Sequence, residues 1–179
     1  MKKKYKKGLI IGKFMPPHEG HLRLIKFASK RARKLVIAVY WRPGEPISGS
    51  MRYKWMKEIF SGNKNVEIVQ ISKKLPQTAK PTKEASEAWA GYISKRFKDI
   101  DAVFSSENYG SYLAGYMNIA HEEYDPERKR IPVSAGMIRE NPIKYWNYIP
   151  REVRPYFVKN NMQVNNKITK KKMQYNLHP

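Results

Sequence analysis

Short apolar runs alternate with helical patterns along this chain, and that order restricts the fold more than any other feature. The apolar runs, each the length of a strand, are Gly8 to Gly12, Lys34 to Trp41, Asn65 to Ile71 and Asp101 to Ser105. Apolar residues recur at helical spacing in the segments between them, Glu19 to Arg33, Ser50 to Phe60 and Lys83 to Phe97. Strands that alternate with helices predict a doubly wound α/β fold around a parallel sheet, with ligands in the crevice beyond the carboxyl ends of the strands.

The rest of the chain predicts further elements of the same domain. Asn118 to Tyr124 is a candidate fifth strand, and Ala135 to Glu140 is a candidate short helix with a serine cap. The segment Pro142 to Lys159 is rich in proline and aromatic residues, which indicates short helices folded back on the sheet. We therefore expect one domain over residues 1–158, followed by a basic, flexible tail over residues 159–179.

The chain is strongly basic, with 36 lysine and arginine residues against 15 acidic ones and a net charge of +21. Part of that charge lies in the two ends, Met1 to Lys7 and Lys159 to Pro179, each of which has five lysines. Charge on flexible ends is ordinarily solvated, so we expect no specific nucleic-acid partner, and the basic body suits an anionic substrate. The longest apolar run, Leu35 to Trp41, is too short to cross a bilayer, so we expect a cytoplasmic protein without membrane contact.

Cysteine is absent from the sequence, so disulfides, thiolate metal sites and cysteine nucleophiles are excluded. The string His18-Glu19-Gly20-His21 differs from zinc-protease motifs, because those need the second histidine one residue later. We predict no metal site built from protein ligands alone. The sequence leaves open whether the chain forms a homo-oligomer.

The strongest functional signal lies directly after the first predicted strand, in the segment Gly12-Lys13-Phe14-Met15-Pro16-Pro17-His18-Glu19-Gly20-His21. The prolines turn the chain from the strand into the helix, and Gly20 is expected to let a ligand come close. His18 and His21 project from one face of the first helical turn, where free backbone N–H groups and the helix dipole attract phosphate. Two histidines alone near a helix start are commonly surface residues, but the strand, glycines and prolines around this pair favour phosphate binding.

This segment resembles the GxFxPxHxGH motif of the nucleotidyltransferase superfamily, which includes the adenylyltransferases of NAD, coenzyme A and flavin synthesis. A second segment, Val133 to Arg139, is similar to the ISxTxxR element of that superfamily, in which serine and threonine begin a helix and arginine binds ATP phosphates. Gly136 stands where the superfamily has the threonine, which removes one hydroxyl from the phosphate site. Without the first motif, Ser134 would be read as a helix cap and Arg139 as a solvated charge.

Within the superfamily, the chain resembles the nicotinamide-mononucleotide (NMN) adenylyltransferase domain of NadR-type enzymes. Beyond the first motif, the resemblance rests on Arg52 to Trp55, Ser105 to Gly110 and Ser134 to Phe157, and it covers most of residues 1–158. NadR-type enzymes can also carry a ribosylnicotinamide kinase, whose GxxxxGK[ST] loop this sequence lacks, and an N-terminal DNA-binding module, for which the seven residues before the first strand are too few. The resemblance implies a Rossmann-like sheet of nucleotidyltransferase type in a stand-alone adenylyltransferase.

The resemblance further implies that the 5′-phosphate of NMN attacks the α-phosphorus of ATP in line, with Mg²⁺ neutralising the departing pyrophosphate and NAD as the product. It places His21 on the α-phosphate, His18 on the phosphates, and Lys13 and Arg139 on the β and γ groups. The remaining residues expected to bind ATP are Gly12, Phe14, Gly20, Ser105, Ser106, Ser134 and Gly136. The residues expected to contact NMN are Trp89, by stacking on the pyridine ring, and Arg52, by binding phosphate.

Several alternatives stay open at this point. Trp89 lies at a spacing that is also typical of core packing, and Ser105 to Gly110 also fits an ordinary polar turn. The phosphate acceptor is alternatively nicotinate mononucleotide, phosphopantetheine or flavin mononucleotide, although the C-terminal resemblance argues against the last two. A different class is a basic nucleic-acid-binding module that has the fold without catalysis, which predicts salt-sensitive binding through the terminal lysines.

Overall fold

The predicted alternation folds into one five-stranded sheet in the computed structural model, which describes residues 3–76 and 82–160. The strands are β1 (Tyr5–Gly12), β2 (Ala32–Tyr40), β3 (Val66–Ile71), β4 (Ala102–Ser105) and β5 (Ala120–Glu123). All neighbouring strands pair in parallel, in the order β3-β2-β1-β4-β5. The chain winds from β1 outward to β3 and then returns to the other side of β1, which confirms the doubly wound α/β fold.

Helices connect these strands throughout the described residues. The α-helices with defined ends are α1 (Glu19–Arg31), α2 (Gly49–Ile59), α3 (Lys83–Arg96), α4 (Tyr109–Met117) and α5 (Ala135–Glu140); a 3₁₀ turn follows at Trp146–Tyr148, and residues 154–160 are also helical. Side-chain caps start four of the helices, namely His18, Ser48, Thr82 and Ser134. None of the helices found in residues 3–76 and 82–160 has the length and apolar character needed to span a membrane.

Each face of the sheet has its own apolar core, because side chains alternate along a strand. On one face, Leu9 and Ile11 of β1 belong to a buried cluster that includes residues of α3 and α4. On the other face, Ile10 belongs to a cluster with residues of α1 and α2. The central strand β1 is therefore covered on both faces, which holds its carboxyl end at Gly12 in a defined place.

The C-terminal segment forms a third cluster beside the loop that follows β1. Its buried members include Met15 of that loop, Trp55 of α2, and Val153 and Phe157 of the C-terminal segment. Loops and helices, rather than the strands of the sheet, supply the buried partners of this segment, which corrects the prediction that it folds back on the sheet. Most of the predicted tail, from residue 161 onward, lies outside the described residues.

Helix α4 was not predicted from the sequence. Its sequence, YGSYLAGYM, contains two glycines and no charged residue, so it has neither high helix propensity nor a polar face that marks it. Gly110 lets the first turn of α4 approach the end of β4, because a Cβ there would lie 2.2 Å from Ser105 Oγ. The segment Ser105 to Gly110 is therefore a short connection between two regular elements, and it includes the start of α4.

Candidate functional site

A cavity of about 1160 Å³ lies at the carboxyl ends of β1, β2 and β4, where the winding of the sheet changes direction. Its wall is formed by the loop after β1, one face of α3, the β4–α4 connection and the chain around the start of α5. The predicted site residues that line it are Gly12, Lys13, Phe14, His18, Gly20, His21, Trp89, Ser106, Ser134, Gly136 and Arg139. The fold thus brings motifs that are far apart in the sequence to one cavity.

His18 caps the amino terminus of α1 with its side chain. Its Nδ1 accepts a hydrogen bond from the Gly20 N–H at 3.1 Å. An accepting Nδ1 carries no proton, so the neutral ring holds its proton on Nε2 and can donate it to a ligand. The hydrogen bond that starts the helix therefore also sets the tautomer of a ring on the cavity wall.

His21 lies between His18 and Phe14. The centroids of the two imidazoles are 3.8 Å apart with 34° between their planes, and the Phe14 ring contacts His21 edge-on at 4.9 Å. Phe14 is buried and has a φ of 47°, in the left-handed region that residues other than glycine seldom adopt. The loop thus uses an uncommon backbone conformation to bring an aromatic ring against the second histidine.

Two glycines of the motif make room for rings of the protein itself. A Cβ on Gly12 would lie 2.9 Å from Cζ of Phe14, and a Cβ on Gly20 would lie 2.9 Å from Cε1 of His18. At Gly20 the His18 imidazole occupies the place that a side chain would take, and because Gly20 also lines the cavity, its contact with a ligand stays a prediction.

Both imidazoles are neutral at neutral pH. Burial, together with the positive charge of Arg128, lowers the pKa of His18 from its ordinary 6.5 to about 4. Burial, together with the charges of His18 and Arg128, lowers the pKa of His21 well below 6.5. At neutral pH these rings can therefore donate N–H hydrogen bonds to an anion without being proton sources.

Arg128 is a cation of the cavity wall that the sequence motifs did not reveal. It follows β5 in a turn held by the Asp125 carboxylate, which accepts hydrogen bonds from the backbone N–H groups of Arg130 and Ile131, both at 3.1 Å. Its guanidinium forms an ion pair with Glu107 at 3.2 Å. An aspartate-proline turn signal marks this loop in the sequence, but no pattern distinguishes one cation of the loop from its neighbours.

Lys13 and Arg139 lie on the cavity wall and contact other parts of the protein. Lys13 Nζ is 3.0 Å from Glu45 Oε1, and the Arg139 guanidinium donates to the carbonyl of Met15. Both residues are also exposed, so an anion in the cavity can reach them. With Arg128 they place three positive charges on the cavity wall that also holds the imidazoles.

Ser134 and Gly136 lie at the start of α5 and also line the cavity. Ser134 Oγ accepts a hydrogen bond from the Met137 N–H at 3.2 Å, so the serine is a helix cap. At Gly136, where the superfamily has threonine, a Cβ would lie 3.7 Å from Ser134 Oγ and 4.0 Å from Arg139 Nη2. These are ordinary contact distances, so packing does not require glycine at this position.

Arg52 does not line the cavity. It is 0% exposed, and its guanidinium donates hydrogen bonds to the carbonyls of Lys13 at 2.7 Å and Tyr40 at 3.3 Å. A buried guanidinium with protein acceptors cannot reach a ligand phosphate in this conformation. The expectation that Arg52 contacts NMN is therefore corrected: the side chain supports the loop after β1.

Ser105 is also buried behind the wall. Its hydroxyl donates to the carbonyl of Glu107 at 2.8 Å and lies 2.9 Å from His121 Nε2. These contacts hold the connection between β4 and α4, from which Ser106 reaches the cavity. The expectation of a direct contact between Ser105 and ATP is therefore replaced by a supporting position.

Trp89 of α3 is part of both the wall and the packing. Its Nε1 donates to the carbonyl of Pro76 at 3.0 Å, and its ring lies edge-on to Tyr40 with centroids 4.8 Å apart. Packing and ligand contact, the two alternatives that the sequence left open, are therefore compatible at this residue.

The fold and the cavity define a nucleotidyltransferase, and comparison with known proteins names the family. Residues 9–141 match the cytidylyltransferase-like family, so the chain belongs to that family. It is 29% identical over 174 residues to the trifunctional NAD biosynthesis/regulator protein NadR of Escherichia coli, and 28% identical over 170 residues to that of Salmonella typhimurium. Each alignment covers 85% of this chain and 40% of the relative, so the chain spans about two fifths of the length of these curated relatives. The resemblance to NadR-type enzymes is confirmed.

Solved structures show the same fold. The crystal structure of a NadR protein in complex with NAD and AMP-PNP matches with a TM-score of 0.62 and 22% identity, over 84% of this chain and 46% of that one. A bifunctional NMN adenylyltransferase/ADP ribose pyrophosphatase from Francisella tularensis, complexed with AMP and a manganese ion, matches with a TM-score of 0.61 and 18% identity, over 98% of this chain and 57% of that one. At these identities the likeness establishes the nucleotidyltransferase architecture.

We predict that His18 makes the stability of the fold depend on pH. The pKa of the unfolded residue, near 6.5, lies above the folded value of about 4, so the unfolded chain binds the proton more readily. The free energy of unfolding should therefore fall as the pH drops through this range, by about 3 kcal/mol from this residue. His18→Asn keeps a cap acceptor for α1 and removes the titration.

Chemical denaturation of the wild type and His18→Asn at a series of pH values measures this contribution. The free energy of unfolding of the wild type relative to that of His18→Asn should be constant above about pH 7. It should fall as the pH is lowered toward about 4, because only the wild type has the titrating imidazole. Two curves that stay parallel over that range would contradict a buried, neutral His18.

Proposed function

We propose that this protein transfers the adenylyl group of ATP to nicotinamide mononucleotide, forming NAD and releasing pyrophosphate. The observation that carries the proposal is the pair of neutral imidazoles in contact at the amino terminus of α1, on the wall of a cavity at the switch point of the sheet. The relatives support the choice of chemistry: the Escherichia coli relative is named for NAD biosynthesis, and the Francisella tularensis protein is an NMN adenylyltransferase.

The reaction requires two anions to be held together while they react. In this proposal a phosphate oxygen of NMN attacks the α-phosphorus of ATP in line, and a new phosphoanhydride bond forms. The bond between the α-phosphorus and the oxygen that bridges to the β-phosphorus breaks, and pyrophosphate leaves with that oxygen and its negative charge. The protein therefore needs to supply alignment and charge stabilisation, without a covalent intermediate.

The side chains of the cavity match these two needs. His18 and His21 donate N–H hydrogen bonds to phosphate oxygens, and the free backbone N–H groups of the first turn of α1 add to them. Because both rings are neutral, they do so without releasing or taking up a proton. Lys13 and Arg139 hold the β- and γ-phosphates, and Arg128 adds a further positive charge on the wall.

The α3 side of the cavity is the proposed NMN subsite. Trp89 is held there by its hydrogen bond to the Pro76 carbonyl and by its edge contact with Tyr40. An indole in this place attracts the positively charged pyridine ring of NMN through cation–π interaction. The proposed reaction thus has the ATP phosphates at α1 and the mononucleotide base toward α3.

Mg²⁺ is proposed to enter with ATP. This ion is ordinarily held by substrate phosphates together with one or two carboxylates, rather than by a cage of protein ligands. Within residues 3–76 and 82–160 no group of three or more metal-binding side chains is found, whereas the Glu107 and Asp125 residues lie on the cavity wall. The residues present therefore fit a metal held mainly by the triphosphate, where it would neutralise the leaving pyrophosphate.

The acceptor is tested by a product assay. Incubation with Mg²⁺ and ATP plus NMN, nicotinate mononucleotide, flavin mononucleotide or phosphopantetheine, in separate reactions, is followed by chromatography of the products. We expect NAD from NMN as the main product. A product from another acceptor alone would reassign the substrate, and no product from any acceptor would overturn the proposed activity.

We predict that His21→Ala lowers turnover about 10²–10³-fold, the cost of removing one donor that stabilises charge in the transition state. Initial rates at saturating ATP and NMN measure the effect, and circular dichroism and thermal unfolding check that the variant is folded. Near-normal turnover in a folded variant would contradict the role of His21.

We predict that Gly136→Thr lowers the KM for ATP, by about two- to tenfold, because it adds one hydroxyl hydrogen bond beside the phosphate site. The Cβ has room, since its nearest neighbours would be 3.7 Å and 4.0 Å away. Steady-state kinetics at varied ATP checks this expectation, and Gly136→Val, which has a similar volume without the hydroxyl, is the control. An equal effect of both substitutions would show that the hydroxyl plays no part.

A further inference from the structure

Arg52 is a fully buried charge that the proposed reaction does not use directly. It lies on α2 and donates hydrogen bonds to three carbonyls, those of Lys13 at 2.7 Å, Tyr40 at 3.3 Å and Ser48 at 3.3 Å. Its remaining partner is the Glu45 carboxylate, whose Oε2 is 2.5 Å from Nη2 of Arg52. One guanidinium therefore joins the loop after β1, the end of β2 and the start of α2.

Glu45 extends this cluster to the cavity. Its Oε2 binds Arg52 and accepts from the Arg42 N–H at 3.1 Å, while its Oε1 is 3.0 Å from Nζ of Lys13. Burial alone would raise the pKa of Glu45, but hydrogen bonds from Lys13, Arg42 and Arg52 outweigh burial and lower it. Glu45 is therefore ionised at neutral pH and lies between two cations.

Lys13 is held at both ends by this arrangement. Arg52 binds its backbone carbonyl directly, and Glu45, which Arg52 orients, binds its ammonium group. A lysine side chain has four rotatable bonds and loses considerable entropy when it is fixed in one place. A cation already held on the cavity wall can contact an anion without losing that freedom at the moment of binding.

We propose that Arg52 and Glu45 are positioning residues that hold Lys13 on the cavity wall for the phosphates of the bound nucleotide. The inference rests on the proposed function, which identifies that anion. It also gives a reason for the ion pair between Arg52 and Glu45, because a buried ion pair by itself adds little stability over an apolar pair of the same volume.

Glu45→Gln is the decisive variant, because an amide keeps the shape of the carboxylate and an acceptor for Arg52 but removes the charge that faces Lys13. Loss of positioning predicts that the KM for ATP rises about tenfold while kcat changes less. If the substitution acted only by removing a negative charge near the site, the KM for ATP would fall instead, since a triphosphate would then be repelled less. An unchanged or lowered KM would therefore overturn the inference.

A double-mutant cycle separates positioning from a general structural effect. Kinetics are measured for the wild type, Glu45→Gln, Lys13→Met and the combined variant. If Glu45 acts through Lys13, its substitution should change the KM less than twofold in the Lys13→Met background. The same tenfold rise in that background would show that Glu45 acts on the fold rather than on Lys13, and would overturn the inference.

The control variant is Glu58→Gln, which removes a carboxylate from the exposed pair with Lys54, 3.9 Å apart on the same helix as Arg52. It should leave the kinetics unchanged. Arg52→Lys is a second test of the cluster, because lysine keeps the charge but its three N–H donors cannot satisfy the four acceptors that the guanidinium binds. It should raise the KM in the same direction as Glu45→Gln, and an unchanged KM would count against the inference.

Calorimetric titration of the same proteins with ATP measures binding without the proposed reaction, so that the two proposals can fail separately. If the wild type binds ATP but forms no dinucleotide, the proposed function fails while the cycle of dissociation constants still tests the positioning of Lys13. A wild type that binds neither ATP nor pyrophosphate would overturn the inference, since Lys13 would then bind no phosphate of a nucleotide.

Discussion

The hydrogen bond from the Gly20 N–H to His18 Nδ1 is the interaction on which the site depends. It starts α1, and it places an imidazole at the end of the helix where free N–H groups and the dipole favour anions. It also leaves the ring proton on Nε2, so the capping residue is at the same time a donor. His21 then contacts the His18 ring from within the first turn. One local hydrogen bond thus organises both rings.

The central strand makes this local arrangement rigid. Because β1 pairs with β2 and β4 and is covered on both faces, the loop that follows it leaves the sheet from a defined point. Gly12 admits the Phe14 ring, and Phe14 in turn contacts His21. Shape and charge are supplied by different residues: the two imidazoles are neutral, and Lys13, Arg128 and Arg139 elsewhere on the cavity wall provide the positive charge. Such a division suits a reaction that needs fixed donors and strong charge neutralisation together.

Much of this architecture could be predicted from the sequence, since the strand and helix periods are strong and the fold follows from their alternation. The start of α1 was equally predictable, because the prolines, glycines and histidines all mark one junction. Helix α4 was missed because its glycines, which serve close packing at Gly110, look in sequence like loop residues. The apolar spacing that predicts a helix does not reveal such a packing requirement.

The side-chain roles were harder to predict than the elements. The sequence around Arg52 is the same whether the guanidinium binds phosphates or backbone carbonyls. Its complete burial leaves only the protein acceptors, among them the Lys13 carbonyl. Arg128 lies among other cations, and it reaches the wall from a turn that the Asp125 carboxylate holds. Both outcomes depend on contacts between segments that are distant along the chain, which no local pattern records.

A crystal structure with a non-hydrolysable ATP analogue and Mg²⁺ would show whether the two imidazoles bind phosphate. We expect phosphate oxygens within about 2.7–3.2 Å of His18 Nε2 and of a ring nitrogen of His21, with Lys13 and Arg139 on the outer phosphates. A triphosphate bound elsewhere, or one in the cavity that touches neither imidazole, would contradict the role of the two histidines.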